Sequence, residues 1–195
     1  MELTVWLGLL ASALFISISP GPGAIFSISQ GTQNGFKRAL IAVVGLQLGL
    51  MSQIVFLLFG LGILIDQFPS VFIVIKIIGM AYLIILGLMQ WLKKIEQIAT
   101  TENQLKGTFS PLKALLQGFF VNLTNIKGTV FFLALIPLFI DLTALKLSTC
   151  LIFISTLIVI DLLVMTGYVT LAELSKSLLS DPKKILWQNR LTGAT

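Results

Sequence analysis

The chain has 195 residues, 56% of them apolar and only 11% charged, with a mean hydropathy of +1.01 and a formal net charge of +5. A soluble domain carries roughly 25% charged residues, and a globule of 21.3 kDa has no interior able to hide 14 Phe and successive Leu/Ile/Val runs. An ordinary soluble domain is therefore excluded, and with no His and a lone Cys150 so are the usual soft-metal sites and a disulfide framework.

In chain order, the first apolar segment runs from about Leu3 to Ile28, long enough to span a bilayer as a helix. Its short leader carries Glu2 but no Lys or Arg, and no small-residue cleavage site follows, so it reads as a retained span and not a signal peptide. Ser19-Pro20-Gly21-Pro22-Gly23 interrupts it. The two prolines remove amide donors and the glycines relax backbone geometry, which predicts a broken or bent helix. Freed backbone groups at membrane depth must be buried in protein or line a polar cavity. The interruption is thus a candidate substrate contact, with a packing kink as the competing reading.

Lys37 and Arg38 follow, and the second span is expected over about Ala39–Ile65. It contains Gly45 and Gly49 in G-x-x-x-G spacing, a close-packing signal within the bundle or between subunits. Gln47 and Gln53 are six residues apart and occupy different faces, which suggests one for interhelical contact and one for a path. The third span is expected over about Val71–Leu92, with Lys76 snorkelling to the surface and a small-residue face at Gly79, Ala81 and Gly87. The polar stretch 93–111 is the only substantial connector.

The fourth span, about Leu112–Ile140, is interrupted by Asn122-Leu123-Thr124-Asn125-Ile126-Lys127-Gly128, with Pro137 near its end or at a kink. A Lys inside hydrocarbon must face a cavity, a partner or the headgroups. Lys127 is therefore a candidate for a substrate carboxylate, with an interfacial Lys as the alternative. The fifth span, about Leu145–Leu171, carries Asp161 roughly 24 Å along the helix at 1.5 Å per residue. Its carboxylate is a candidate proton-exchanging group, or half of a static ion pair with Lys127.

The pattern predicts an all-α, polytopic transmembrane bundle, since lipid-exposed open sheet is excluded and barrel-type alternation is missing. Ten of the thirteen basic residues fall on one side: Lys37, Arg38, Lys93, Lys94, Lys106, Lys113, Lys176, Lys183, Lys184 and Arg190. That side is cytoplasmic by the positive-inside rule, which places the amino terminus outside. The positive charge fits anionic headgroups and not nucleic acid. Residues 1–92 form a three-span unit, 93–111 a cytoplasmic connector, and 112–195 a second unit with two complete spans. Three-span units reverse direction, so related halves would be inverted repeats, giving five complete spans of a six-span (3+3) plan. Completing the symmetry would need a third hydrophobic segment after the polar stretch that follows Leu179, and it is missing. No paired carboxylates, activated nucleophile or phosphate-cradling loop argues for an enzyme.

These elements, in order and nearly along the whole chain, resemble the LysE/RhtB family of bacterial amino-acid exporters. The resemblance rests on Ser19-Pro20-Gly21-Pro22, Gly35-Phe36-Lys37-Arg38-Ala39, the Lys76–Gly87 stretch, Gly118-Phe119-Phe120-Val121-Asn122-Leu123-Thr124-Asn125-Ile126-Lys127 against a G-F-x-x-N-x-x-N-P-K pattern, and Asp161. It implies proton-gradient-driven export of amino acids or close derivatives across the bacterial inner membrane, with Pro20, Gly21, Pro22, Asn122, Asn125, Lys127 and Asp161 as functional residues. The family's substrates include basic amino acids, homoserine, threonine, leucine and cysteine-related compounds. The partners implied are an amino acid, protons and membrane lipids, with a homo-oligomer open; no cofactor and no nucleic acid is expected. Two departures stand out. Ile126 replaces the proline of N-P-K, which predicts a less broken helix and a differently presented Lys127. Trp187–Ala194 resembles the lead-in to a last hydrophobic segment, so a truncated exporter is expected, with an inactive or non-transporting membrane subunit as the alternative.

Overall fold

In the computed structural model the described residues are 1–68, 109–142 and 144–179, with residues 70, 73, 74, 77, 81 and 85 between them; side chains at 62–66 and 176–179 are not described. The described residues form helices and no strands: α1 (Leu3–Ile18), α2 (Pro22–Asn34), α3 (Phe36–Gln67), α4 (Pro111–Leu123), α5 (Ile126–Phe139) and α6 (Leu147–Leu179). Two are long and apolar enough to cross a membrane singly, over Phe36–Leu61 and Leu147–Ser175. The α1–α2 pair bends by 57° and the α4–α5 pair by 52°, each a crossing if its two halves are one broken span. Most of the third predicted span, Val71–Leu92, lies outside the described residues, with Lys76, Gly79 and Gly87, the connector as far as residue 108, and the stretch after Leu179.

The helices run farther than hydropathy suggested, because polar ends can extend beyond a hydrocarbon core. α3 starts at Phe36 and not Ala39, and α6 continues to Leu179. Their ends define two poles. At one, Arg38 stacks over Phe109 with its guanidinium 5.4 Å from the ring centroid, and a side chain at Gly35 would meet Glu173. Lys37 and Lys113 belong to the helix ends at this pole. Glu2, Asp141 and Lys146 belong to the helix ends at the other.

Glycine sets how closely the helices approach. A Cβ at Gly45 would fall on the Leu115 carbonyl, one at Gly49 on the Phe119 carbonyl, and one at Gly118 on the Ala42 carbonyl. The backbones of α3 and α4 therefore touch, and this pair packs more extensively than any other. Gly31 plays the same part between α2 and α6, where a Cβ would come 2.9 Å from the Val169 carbonyl.

Two apolar clusters result. One gathers Leu9 and Ala13 of α1, Leu50 and Ile54 of α3, Phe132 and Ile136 of α5, and Phe153 and Leu157 of α6. The other joins Ala24, Ala39, Val43, Leu46, Met165 and Val169 toward the basic pole. Between them lies a polar layer. Leu46 and Leu50 bracket Gln47, Leu157 and Met165 bracket Asp161, and Ala13 and Ala24 bracket the Ser17–Gly23 stretch. α3 and α6 thus pass from one apolar cluster through the polar level to the other.

Candidate functional site

The polar level is built first by the break between α1 and α2. In a continuous helix the carbonyls of Ile16 and Ile18 would accept from residues 20 and 22, but both are proline and have no N–H. Ser19 ends α1 with its amide donating to the Phe15 carbonyl at 3.2 Å. Gly21 is extended (φ −149°, ψ −172°) with no side chain to cap α2, and Pro22 takes the first helical position, where the missing donor costs nothing. The Ile18 carbonyl, and the Ser19 carbonyl just past the end of α1, find distant donors. Tyr168 Oη donates to the Ile18 carbonyl at 2.6 Å. Lys127 Nζ donates to the Ser19 carbonyl at 2.8 Å and to Ser19 Oγ at 2.6 Å.

The second break carries that lysine. α4 ends at Leu123, Thr124 caps it, and the Asn125 side chain accepts from the Gly128 amide at 3.3 Å to cap α5. With Ile126 in place of the proline, the two helices still meet at a 52° bend. An asparagine cap supplies what a proline would enforce, because its carbonyl oxygen satisfies an amide otherwise left open at the helix start. Asn122, 7% exposed, donates to the Leu46 carbonyl at 2.9 Å and so ties this break to α3. Gln53 Nε2 donates to Thr129 Oγ1 at 2.7 Å and to the Asn125 carbonyl at 3.1 Å.

Asp161 enters the same level from α6. Ser17 Oγ donates to Oδ1 at 3.0 Å and Gln47 Nε2 to Oδ2 at 2.8 Å. Lys127 and Asp161 both line one small cavity, but no ion pair joins them: the amine is held by Ser19, the carboxylate by Ser17 and Gln47. The static Lys127–Asp161 pair is thus replaced by two separate clusters. Ser19, Gly21, Asn122 and Asn125 also line this cavity; Pro20 does not, and Pro22 borders a second, larger cavity. Gly45 and Gly49 stay in the α3–α4 contact.

The central cavity is about 50 Å³. That is space for a water or two, far below the roughly 300 Å³ and upward of small-molecule pockets. Two acceptors, Gln47 Oε1 and Gln53 Oε1, have no hydrogen-bond partner although the residues are 8% and 4% exposed. Gln53 lines the cavity itself. The larger cavity, about 1090 Å³, separates α2 from α4 and reaches Pro22 and Thr124 at the two breaks. Its wall combines Ser29, Gln30 and Gln33 with Leu116 and Phe120, and among the described residues Lys113 is the charged one in it.

Three participants were missed in the sequence: Ser17, Tyr168 and the link from Gln47 to Asp161. Asp161, Met165 and Tyr168 stand at i, i+4 and i+7 on one face of α6, a spacing that was available. Gln47 makes an interhelical contact to Asp161 of α6 without lining the central cavity, whereas Gln53 bonds to α5 and lines it.

Apolar helices of spanning length, two broken pairs and an ionisable layer enclosed by apolar clusters define a multi-pass helical membrane protein. Residues 14–195 match the LysE type translocator family. The chain belongs to that family, whose members are transporters and not enzymes. It is 37% identical over 194 residues to an uncharacterized membrane protein of Vibrio cholerae, covering 100% of this chain and 93% of the relative. It is 36% identical over 191 residues to the homoserine/homoserine lactone efflux protein of Salmonella typhimurium, covering 97% and 90%. A leucine efflux protein of Klebsiella pneumoniae is 31% identical over 142 residues, covering 71% and 65%. No solved structure matches the chain.

Proposed function

We infer that the chain is a secondary active exporter of amino acids or close derivatives across the bacterial inner membrane, driven by the proton gradient. The observation that carries this reading is the meeting of two broken helices around Lys127 and Asp161 at one enclosed level. An ionisable side chain at membrane depth costs about 2.5–3.5 kcal/mol even on the milder insertion scales, and such residues mark substrate and ion paths. Efflux proteins among the relatives supply the direction of transport.

In this reading the 1090 Å³ space between α2 and α4 is the approach from the basic, cytoplasmic pole, and the amino terminus is periplasmic. The substrate advances to the breaks, where its carboxylate meets Lys127. Asp161 is the proton-exchanging group, poised by Ser17 and Gln47. The two bent pairs, each entering from an opposite pole and each followed on the chain by an apolar segment, support inverted repeats over 1–92 and 112–195 joined by the 93–111 connector. Apolar clusters flank the polar level toward both poles, which fits a path narrowed at this level.

The test is efflux of preloaded labelled homoserine and leucine from proteoliposomes, with Lys127→Ala and Asp161→Asn alongside the parent chain. Parent efflux should exceed that of protein-free vesicles and rise with an imposed proton gradient. Asp161→Asn should abolish the gradient dependence. Parent efflux equal to protein-free vesicles across the standard amino acids and homoserine would overturn the exporter reading; a real rate indifferent to the gradient would remove only the proton coupling.

A further inference from the structure

We propose that the carbonyl and hydroxyl oxygens of Ser19 form the subsite for the substrate's primary ammonium group, and that Lys127 occupies it as a tethered surrogate until the substrate displaces it. This rests on the exporter reading and goes beyond it by assigning an atom-level subsite and a resident competitor.

The Lys127 amine makes two short hydrogen bonds, both to Ser19, and both acceptors are neutral oxygens. The carboxylate in the same cavity is bonded elsewhere, by Ser17 and Gln47. A cation at membrane depth is normally matched by an anion. Here an alkylammonium rests on the backbone oxygen exposed by a proline-broken helix, the chemistry that would receive the ammonium of an amino acid. Gln53 lines the cavity, and its Oε1 is a buried acceptor that no described donor reaches. An ammonium group has three donors, and Lys127 spends two on Ser19.

Space gives a second argument. A cavity of about 50 Å³ cannot admit an amino acid while the lysine lies across it. The Lys127 stem runs over Gly21, where a Cβ would come 3.4 Å from Cδ and 3.6 Å from Nζ. A four-carbon stem with a rotatable ammonium can swing without moving backbone. Withdrawn from Ser19, it vacates the subsite and presents its charge to the arriving carboxylate. One motion exchanges one ammonium for another and creates the anion's partner.

The relatives add a chemical constraint. Homoserine, homoserine lactone and leucine, the solutes in the relatives' names, share a primary ammonium, whereas the lactone has no free carboxylate. The ammonium is the common denominator.

The experiment uses the full chain in proteoliposomes. Efflux of labelled homoserine or leucine is competed from the loaded side by the corresponding lactone or amide, which keep the ammonium, and by the N-acetyl derivative, which lacks it. In the parent chain the lactone or amide should compete and the N-acetyl derivative should be weaker by about tenfold or more. In Lys127→Met, binding measured by thermal shift should separate the two kinds of ligand. The lactone or amide should gain about tenfold if the lysine fills the subsite nine-tenths of the time. The free amino acid should lose relative to it, having lost its carboxylate partner. An N-acetyl derivative competing as well as the parent amino acid overturns the proposal, as does a lactone or amide that does not gain in Lys127→Met. If that variant fails to fold, the analogue series on the parent chain decides alone. Absence of efflux for every amino acid tested would instead sink the exporter reading, and this proposal with it.

Discussion

The two helix breaks bend their spans almost equally, by 57° and 52°, but they are built from opposite materials. The break at Ser19–Gly21 is made by subtraction: Pro20 and Pro22 remove donors, Gly21 offers no side chain, and help comes from Tyr168 and Lys127 far along the chain. The break at Thr124–Asn125 is made by addition: Asn125 caps the new helix, and Thr124 Oγ1 closes the old one on the Phe120 carbonyl at 2.6 Å. The second break caps itself locally and takes one donor from Gln53 of α3, whereas the oxygens of the first are held by side chains from α5 and α6. Under the proposed function, the second break carries Lys127 and the first offers the oxygens that Lys127 occupies.

The largest effect is expected from making the first break resemble an ordinary helix. Pro20→Ala with Pro22→Ala returns amide donors for the Ile16 and Ile18 carbonyls, so the chain can close its ladder and draw Ser19 away from Lys127. Proteoliposome efflux should fall by about tenfold or more, roughly 1.4 kcal/mol in transport free energy, while the melting temperature holds or rises. Unchanged efflux would mean that the exposed carbonyls are a packing kink and nothing more.

A smaller pair compares the two ways of satisfying a break. Asn125→Ala removes the α5 cap and should destabilise by about 1 kcal/mol. Tyr168→Phe removes the donor to the Ile18 carbonyl and should also cost about 1 kcal/mol. Thermal unfolding in detergent checks both. The discriminating readout is transport: Asn125→Ala should displace Lys127 and depress efflux beyond its stability cost, whereas Tyr168→Phe should leave the Ser19 oxygens in place and track stability alone.

The first break was legible in the sequence because proline acts locally: no neighbour can restore a donor that the residue lacks. Lys127 and Asp161 were legible because ionisable groups in apolar runs demand a polar surrounding. Their partners were not. Which residue meets Asp161 depends on the rotation of α3, whose glycine face at 45 and 49 is turned to Gly118 and its neighbours on α4, a pairing that a single sequence does not orient. Gln47 and Gln53 lie about 120° apart on α3 at 100° per residue, yet both reach the polar level because α3 packs against α4, α5 and α6 together. The bend at Ile126 was hidden for the same reason. The missing proline was visible, while the capping geometry of Asn125 that replaces it appears only when the backbone is in place.

The smallest expected effect sharpens that last point. Ile126 occupies the first position of α5, where an amide has no intrahelical partner, and Asn125 before it is extended at φ −72°, ψ 96°. Both conditions suit a proline at 126: the lost donor is not used, and the preceding residue already avoids the α region. Ile126→Pro should therefore fold with the same bend and gain about 0.4–1 kcal/mol by restricting the unfolded chain. Ile126 is 73% exposed, so losing its side chain removes little packing within the described protein. Efflux should match the parent chain. Loss of stability in this variant would show that the second break is not already in the geometry a proline prefers, and that the two breaks differ in shape as well as in the residues that make them.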